Sequence, residues 1–361
     1  MSPSIRFPEF TGEWKKCKIE DITDAVSSGK SKNHFSNGEY NLYGSTGIIG
    51  RTDKALYDGK LVLVARVGAN AGFLQIINEP CGITDNTLIL KPKGIDAFYL
   101  YYFLQHFNLN RLIFGSGQPL ITGGMLKKVK VSLGTISEQS KIVKFLSLLD
   151  ERIATQVRLI EDLKKLRCAI VEKMFKQSKA NGRLGDFIEQ VSVRNKNGLY
   201  SNVLSVSNKQ GFVKQSEQFE DRTVASEDTS NYKIVKRNNF AYNPARINVG
   251  SIARLTKFDV GIVSPMYVCF RTKASIIPEY MEAFFTSQQF FYEMMKRLEG
   301  SVRLCLSYEG LCNIPVYIPD MNKQIAMGQN ISLILSKIGL EIEYLGRLHQ
   351  QKQYLLRKMF I

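Results

Sequence analysis

Residues Gly115 to Phe175 recur without a gap as Gly300 to Phe360, so one architectural unit is written twice in a single chain at an offset of 185 positions. Gly115-Ser116 falls on Gly300-Ser301, Leu126 on Leu311, Gln139 on Gln324, and Lys173-Met174-Phe175 on Lys358-Met359-Phe360. Apolar positions exchange like for like, as at Val129 with Ile314 and Ile160 with Leu345. Solenoid repeats run about 20 to 50 residues, so this spacing calls for two similar domains.

Within the repeat, the stretch from Ser137 has helical period for nearly forty residues, and Ser137-Glu138-Gln139-Ser140 reads as its N-cap. Ile153, Ile160 and Met174 keep heptad spacing, with Leu163 and Ile170 on the companion position. Ile338, Leu345, Met359, Leu348 and Leu355 repeat that seam, and Lys352 interrupts it where Arg167 interrupts the first copy. Two such helices, each about 58 Å long at 1.5 Å per residue, are expected to lay their seams together. The alternative is that each stripe packs onto its own domain. Ahead of each helix lies a region of short strand signals, Gly, Asn and aromatic residues. Leu61 to Arg66 with Phe73 to Asn78, and Phe240 to Arg246 with Ser251 to Thr256, read as hairpins whose turns share Arg, Asn and Gly.

The predicted organisation is α+β. A first strand-rich domain spans 1–136 and a first spacer helix 137–175. A polar linker with an Asn-Gly breaker covers 176–183, a second domain 184–320, and a second spacer helix 321–361.

At 361 residues the chain accommodates two domains of ordinary size. The 49 Lys and Arg against 33 Asp and Glu give a formal charge of +16, which favours a polyanionic partner, nucleic acid first and a membrane surface second. The longest apolar stretch, Ala97 to Leu104, is too short to span a bilayer, and the N-terminal residues lack a signal-peptide core. A cytoplasmic chain is expected. Six scattered Cys without a C-x-x-C pair and three His give no metal-site spacing, so reduced thiols are expected.

Several runs carry a family resemblance across the whole chain. They include Arg6-Phe7-Pro8-Glu9-Phe10-Thr11-Gly12-Glu13-Trp14, Tyr43-Gly44-Ser45-Thr46-Gly47-Ile48-Ile49-Gly50 and Ser137-Glu138-Gln139 in the first half. Leu204-Ser205-Val206-Ser207, Ala241-Tyr242-Asn243-Pro244-Ala245-Arg246-Ile247-Asn248-Val249-Gly250-Ser251 and Val263-Ser264-Pro265-Met266-Tyr267 follow in the second. Together they resemble the specificity subunit of type I restriction-modification systems. The second helix departs from the pattern, beginning Met321-Asn322-Lys323-Gln324 without a Glu-Gln pair. The resemblance implies two target-recognition domains, each reading half of a split, asymmetric double-stranded DNA target. It also implies two helices paired as an antiparallel coiled coil that set the gap and dock two methyltransferase subunits, with restriction subunits joining the complex. S-adenosylmethionine, ATP and magnesium would sit on those partners, and no cofactor on this chain.

Base edges in the major groove carry sequence information, and phosphates supply affinity and register. Arg, Lys, Asn, Gln and Tyr on exposed loops are therefore the candidate contacts. In the first domain these are Lys30, Lys32, Asn33, His34, Tyr43, Ser45, Thr46, Arg51, Arg66 and Asn70. In the second they are Arg194, Lys196, Lys209, Gln210, Lys214, Arg222, Asn243, Arg246, Asn248 and Tyr267. Arg66 and Arg246 have a competing structural reading, as internal donors to turn carbonyls.

Three motifs are rejected as catalytic. Gly29-Lys30-Ser31 lacks the Gly that a phosphate loop needs at position 24, where Asp24 stands. Asn243-Pro244-Ala245-Arg246 lacks the second Pro and stacking aromatic of an adenine-methyltransferase loop. Asp162-x-Lys164 falls within the predicted helix without a partner acid. The leading expectation is a non-catalytic DNA-specificity subunit; the alternatives are a free-standing DNA adenine methyltransferase and a repressor-like DNA binder.

Overall fold

The computed structural model describes residues 3–32, 38–113, 117–176, 179–208, 210–218, 228–301 and 303–361. The chain divides into two compact units: Met1–Val157 with Glu343–Ile361, and Arg158–Ile342. Each unit contains one strand-rich head and a length of both long helices, Ile136–Lys176 and Met321–Met359.

The two heads share one topology although their strands diverge in sequence. In the first, strands Thr23–Ser28, Thr87–Pro92, Lys60–Ala65 and Leu74–Asn78 lie side by side in that order. In the second, Ile188–Gln190, Val268–Thr272, Phe240–Tyr242 and Ile252–Arg254 repeat the arrangement. Each head adds a second sheet, three-stranded in the first head and four-stranded in the second, in which a hairpin strand pairs in parallel with a later one. Tyr40–Gly44 runs beside Cys81–Ile83, and Val203–Ser207 beside Val260–Val263. On the other side of that later strand, Lys233–Lys236 pairs antiparallel with Val260–Val263, where the first head has the isolated antiparallel bridge Tyr57–Cys81.

Strand Lys60–Ala65 is buried at every position after Lys60, as an apolar run covered on both faces requires. Val62 and Val64 join the core beneath helix Ala97–Phe107, and Leu61 and Leu63 join the cluster beneath the small sheet. A three-layer head of helix, sheet and sheet results. Phe240 and Tyr242 against Ala241 divide in the same way in the second head.

Each head is closed by the end of the long helix from the other repeat. Phe360 packs on Tyr99 and Phe103 at centroid distances of 5.2 and 6.2 Å. Phe175, its counterpart 185 positions earlier, packs on Tyr280 and Phe284 at 5.3 and 5.2 Å. The two tyrosines are alike to the last hydrogen bond: Tyr99 Oη donates to the Ser132 carbonyl and Tyr280 Oη to that of Tyr317. In the first unit Lys352 pairs with Asp150 at 2.6 Å while Arg152 lies over the Tyr344 ring, so the two helical segments run antiparallel. All ten seam residues read from the sequence, Ile153 to Met174 and Ile338 to Met359, are buried or half-buried. Gln156 and Glu341 are buried on the same stripe, at companion positions the sequence reading passed over.

The first helix begins one residue earlier than expected, because the cap is Thr135 and not Ser137. The Thr135 hydroxyl accepts the Glu138 amide at 3.2 Å, and its carbonyl accepts that of Gln139. Glu138, freed from a capping role, is fully buried and accepts Arg6 Nε and Nη2 at 2.6 and 2.8 Å and Trp14 Nε1 at 3.1 Å. Ile5 N–H reaches the Lys358 carbonyl at 2.9 Å, so the N-terminal strap ties the start of one helix to the end of the other. In the second unit Lys323 replaces Glu138, and Asp320 caps the helix by accepting the Lys323 amide at 3.0 Å. The polar stretch read as a linker is partly fixed: Asn181 exchanges two 2.8 Å bonds with Ile318, and Gly182–Arg183 pairs with Pro315–Val316.

Two outcomes follow for stability. Phe360→Ala, which empties an aromatic site in the first unit's core, should cost about 3–5 kcal/mol by chemical denaturation, and Phe175→Ala should cost the second unit as much. His106, stacked on Phe360 at 5.8 Å, has its pKa held below its ordinary 6.5 by burial. Protonation therefore opposes docking. Stability should fall as pH drops below about 6.5, and less so in His106→Gln, as thermal melts between pH 8 and 5 would show.

Candidate nucleic-acid interface

Two groups of candidate residues gather on the first head, at opposite ends of the hairpin Tyr40–Gly44 and Gly47–Thr52. Five residue steps along the second strand separate them by about 17 Å at ~3.4 Å per residue. Lys30 and Lys32 line one groove, of about 360 Å³, with Lys54, Ser31, Thr52, Leu56 and one acid, Asp53. Lys54 was missed from the sequence, where nothing distinguishes it from any other surface lysine. Asn33 and His34 lie outside the described residues. Arg51, exposed on the edge strand, reaches the Glu39 carbonyl at 3.4 Å.

At the other end, three turns converge on the Asn86 carbonyl. It accepts the Ser45 hydroxyl at 3.2 Å and the Arg66 amide at 2.9 Å, while Gln75 Nε2 donates to the Gly44 and Ser45 carbonyls. Thr46 is exposed beside them. The Arg66 side chain is half-buried, with Nη1 3.5 Å from Ser28 Oγ and Nε without a hydrogen-bond partner among the described residues. Asn70 sits on the following turn, whose Gly72 holds φ of +87° with Leu109 and Ile121 pressed against the place a side chain would take. That turn borders a groove of about 350 Å³ with Phe73, Gln105, Asn108 and Asn110. Exposed Ile48, Ile49 and Phe73 lie on these same turns and strands. They add apolar area that a search for polar contacts could not find.

Tyr43 is engaged internally. Its hydroxyl donates to Glu79 at 2.6 Å beside Asn41 Nδ2 at 2.8 Å, and burial with that bond pushes the phenol well above its ordinary range. The two donors hold the Glu79 carboxyl below its usual value.

In the second head, Arg194 donates to Asn231 at 3.1 Å, and Lys196, Gln210, Lys214 and Arg246 are exposed. Asn248 is half-buried on the turn with Arg246. Lys257 extends toward the Gln210 carbonyl at 3.5 Å and joins this basic edge without having been singled out. Lys209 and Arg222 lie outside the described residues. Asn243 and Tyr267 differ from the sequence reading: both are buried and serve the head's own backbone. Asn243 Oδ1 accepts the Ala245 amide at 3.0 Å, and Tyr267 Oη accepts that of Val206 at 3.3 Å.

Among the described residues, no cluster of three or more His, Cys, Asp or Glu is placed to hold a metal, and all six Cys are free thiols. Among the same residues, no helix is long and apolar enough to cross a membrane. Gly29 of the rejected phosphate-loop motif is packed against the Ile83 and Thr84 carbonyls, and Asp162 pairs with Lys165 on an exposed helical face.

Residues 11–165 match the family described as type I restriction modification DNA specificity domain. A putative type I specificity subunit of Mycoplasma genitalium is 28% identical over 189 residues, 50% of this chain and 49% of that one. The EcoprrI specificity subunit of Escherichia coli is 28% identical over 112 residues, 31% of this chain and 28% of that one. The matched segments thus span about half or less of these relatives' own lengths. The fold is similar to the crystal structure of a type I restriction-modification S subunit from M. genitalium, with a TM-score of 0.64 and 20% identity over 100% of this chain and 99% of that one. The runs from Tyr43 to Gly50 and from Ser137 to Gln139 fall inside the matched segment and the second half of the chain repeats the first, so the chain is similar in sequence to type I restriction-modification specificity subunits.

Proposed function

We propose that this chain is the sequence-reading subunit of a type I restriction-modification complex, with each head reading one half of a bipartite, asymmetric duplex target. The observation that carries this reading is two heads of one topology whose rims carry different side chains. Shared architecture supports equivalent docking on DNA, and unlike rims support unlike half-targets. The formal charge of +16 and the lysine groove at Lys30, Lys32 and Lys54 favour the phosphate backbone. The Ser45, Arg66 and Asn70 turns, and the Arg246 turn in the second head, are the parts we assign to base edges. The paired helices would set the spacing of the half-targets, near one turn of duplex centre to centre.

The helices are also where we place two methyltransferase subunits. Leu148 and Leu333, 185 positions apart, are 56% and 68% exposed, and Val157 and Ile342 are 38% and 50% exposed. Apolar exposure repeated at equivalent positions suits a partner that binds twice in the same pose. Methylation and cleavage would belong to partner subunits carrying S-adenosylmethionine, ATP and magnesium.

Mapping methylated adenines in cells carrying the chain with its modification subunits should give a two-part, non-palindromic motif; one contiguous palindrome would contradict the reading. Changing Lys30, Lys32 and Lys54 to Ala should reduce the salt dependence of DNA affinity by about one unit of slope per lysine that meets a phosphate. Leu333→Asp should lower the methyltransferase stoichiometry of the purified complex from two toward one, measured by native mass spectrometry.

A further inference from the structure

At one seam position the two units are filled differently. In the first unit Lys352 interrupts the seam and is neutralised locally. Its Nζ lies 2.6 Å from Asp150 and 5.5 Å above the Tyr102 ring, and Tyr102 Oη donates to the same carboxylate at 2.9 Å. The seam offset of 185 makes Arg167 the counterpart of Lys352 and Leu335 that of Asp150. The head helices align Tyr99 with Tyr280 and Phe103 with Phe284 through their identical roles, which sets Ala283 where Tyr102 stands. The second unit thus keeps the cation and loses both the acid and the ring.

What replaces them is a cavity of about 260 Å³, and Arg167, Ala283 and Leu335 all line it. That is several times the share of a single water, about 30 Å³. Arg167 Nε is buried there without a hydrogen-bond partner among the described residues. The acid on the wall, Glu282, lies within the field of Arg167 but already accepts Arg254 Nε at 2.9 Å, and Lys257 adds positive charge at the wall. Phe212 and Ile331 supply an apolar side.

We propose that this cavity is a binding site for an aromatic carboxylate, its acid group on Arg167 and its ring in the place that Tyr102 fills in the first unit. The first unit supplies the template: a cation at this seam position is satisfied by a carboxylate with a phenol bonded to it. The proposal is independent of the DNA reading, since it concerns the helix and head packing alone. An acidic side chain of a docked partner offers the same carboxylate chemistry as a free ligand, and the test separates these sources.

Calorimetry and thermal shift on the full chain would use 4-hydroxybenzoate as probe and neutral 4-hydroxybenzamide as control. Saturable binding of the acid alone is expected, weakened at least about tenfold in Arg167→Met by loss of a charged hydrogen bond. Ala283→Tyr with Leu335→Asp rebuilds the first unit's arrangement, and should raise the melting temperature and abolish probe binding. Should the isolated chain ignore the probe while the double variant no longer co-purifies with a methyltransferase subunit that wild type retains, the carboxylate comes from that partner. Two results would overturn the proposal. One is equal probe binding in wild type and Arg167→Met; the other is no probe binding together with unchanged partner assembly in the double variant.

Discussion

An aromatic ring at the end of each long helix, Phe360 against Tyr99 and Phe103 and Phe175 against Tyr280 and Phe284, is the contact on which the architecture turns. Each ring comes from the repeat that did not supply the head it closes. Neither repeat can therefore complete a core from its own sequence, since the first unit requires Glu343–Ile361 and the second requires Arg158–Lys176. A binary protein of this kind could have been built as two independent domains on a tether. Exchanging helix ends instead makes each head's core depend on the helix of the other repeat.

The polar residues within the seam show how that pairing is restricted. Lys352 is expensive to bury alone, and Asp150 with Tyr102 makes its burial tolerable where it stands. Gln156 and Glu341, buried on the same stripe, act in the same sense: polar groups at seam positions cost stability against an all-apolar seam but disfavour other registers. The N-terminal strap contributes a restraint of its own through Arg6 and Trp14 on Glu138, which the second unit lacks because Lys323 stands there.

Much of this was legible in the residues, for definite reasons. Helices repeat at a period that one sequence reveals, and the 185-residue offset doubled the signal, so both long helices, their stripe and the two hairpins were readable. The matching sheets were not, because Thr23–Ser28 and Ile188–Gln190 share a position and almost no residues. Strand pairing over long sequence separations leaves no local mark. The cap is Thr135, two residues before Ser137, and Glu138 bonds Arg6 and Trp14, more than a hundred residues away and so outside any local reading. Side-chain type alone could not tell an exposed polar residue from an internal brace. Asn243 and Tyr267 look like recognition residues and brace a turn and a strand, whereas Lys54 and Lys257 looked ordinary and stand beside the candidate lysines and glutamine.

Native-state hydrogen exchange resolved by mass spectrometry, comparing wild type with Phe360→Ala, addresses the exchanged closure most directly. Loss of protection in Ala97–Phe107 and Lys130–Leu133, more than two hundred residues from the substitution, is the expected result. Loss confined to the final turns of the second helix, with the first head's protection intact, would contradict it.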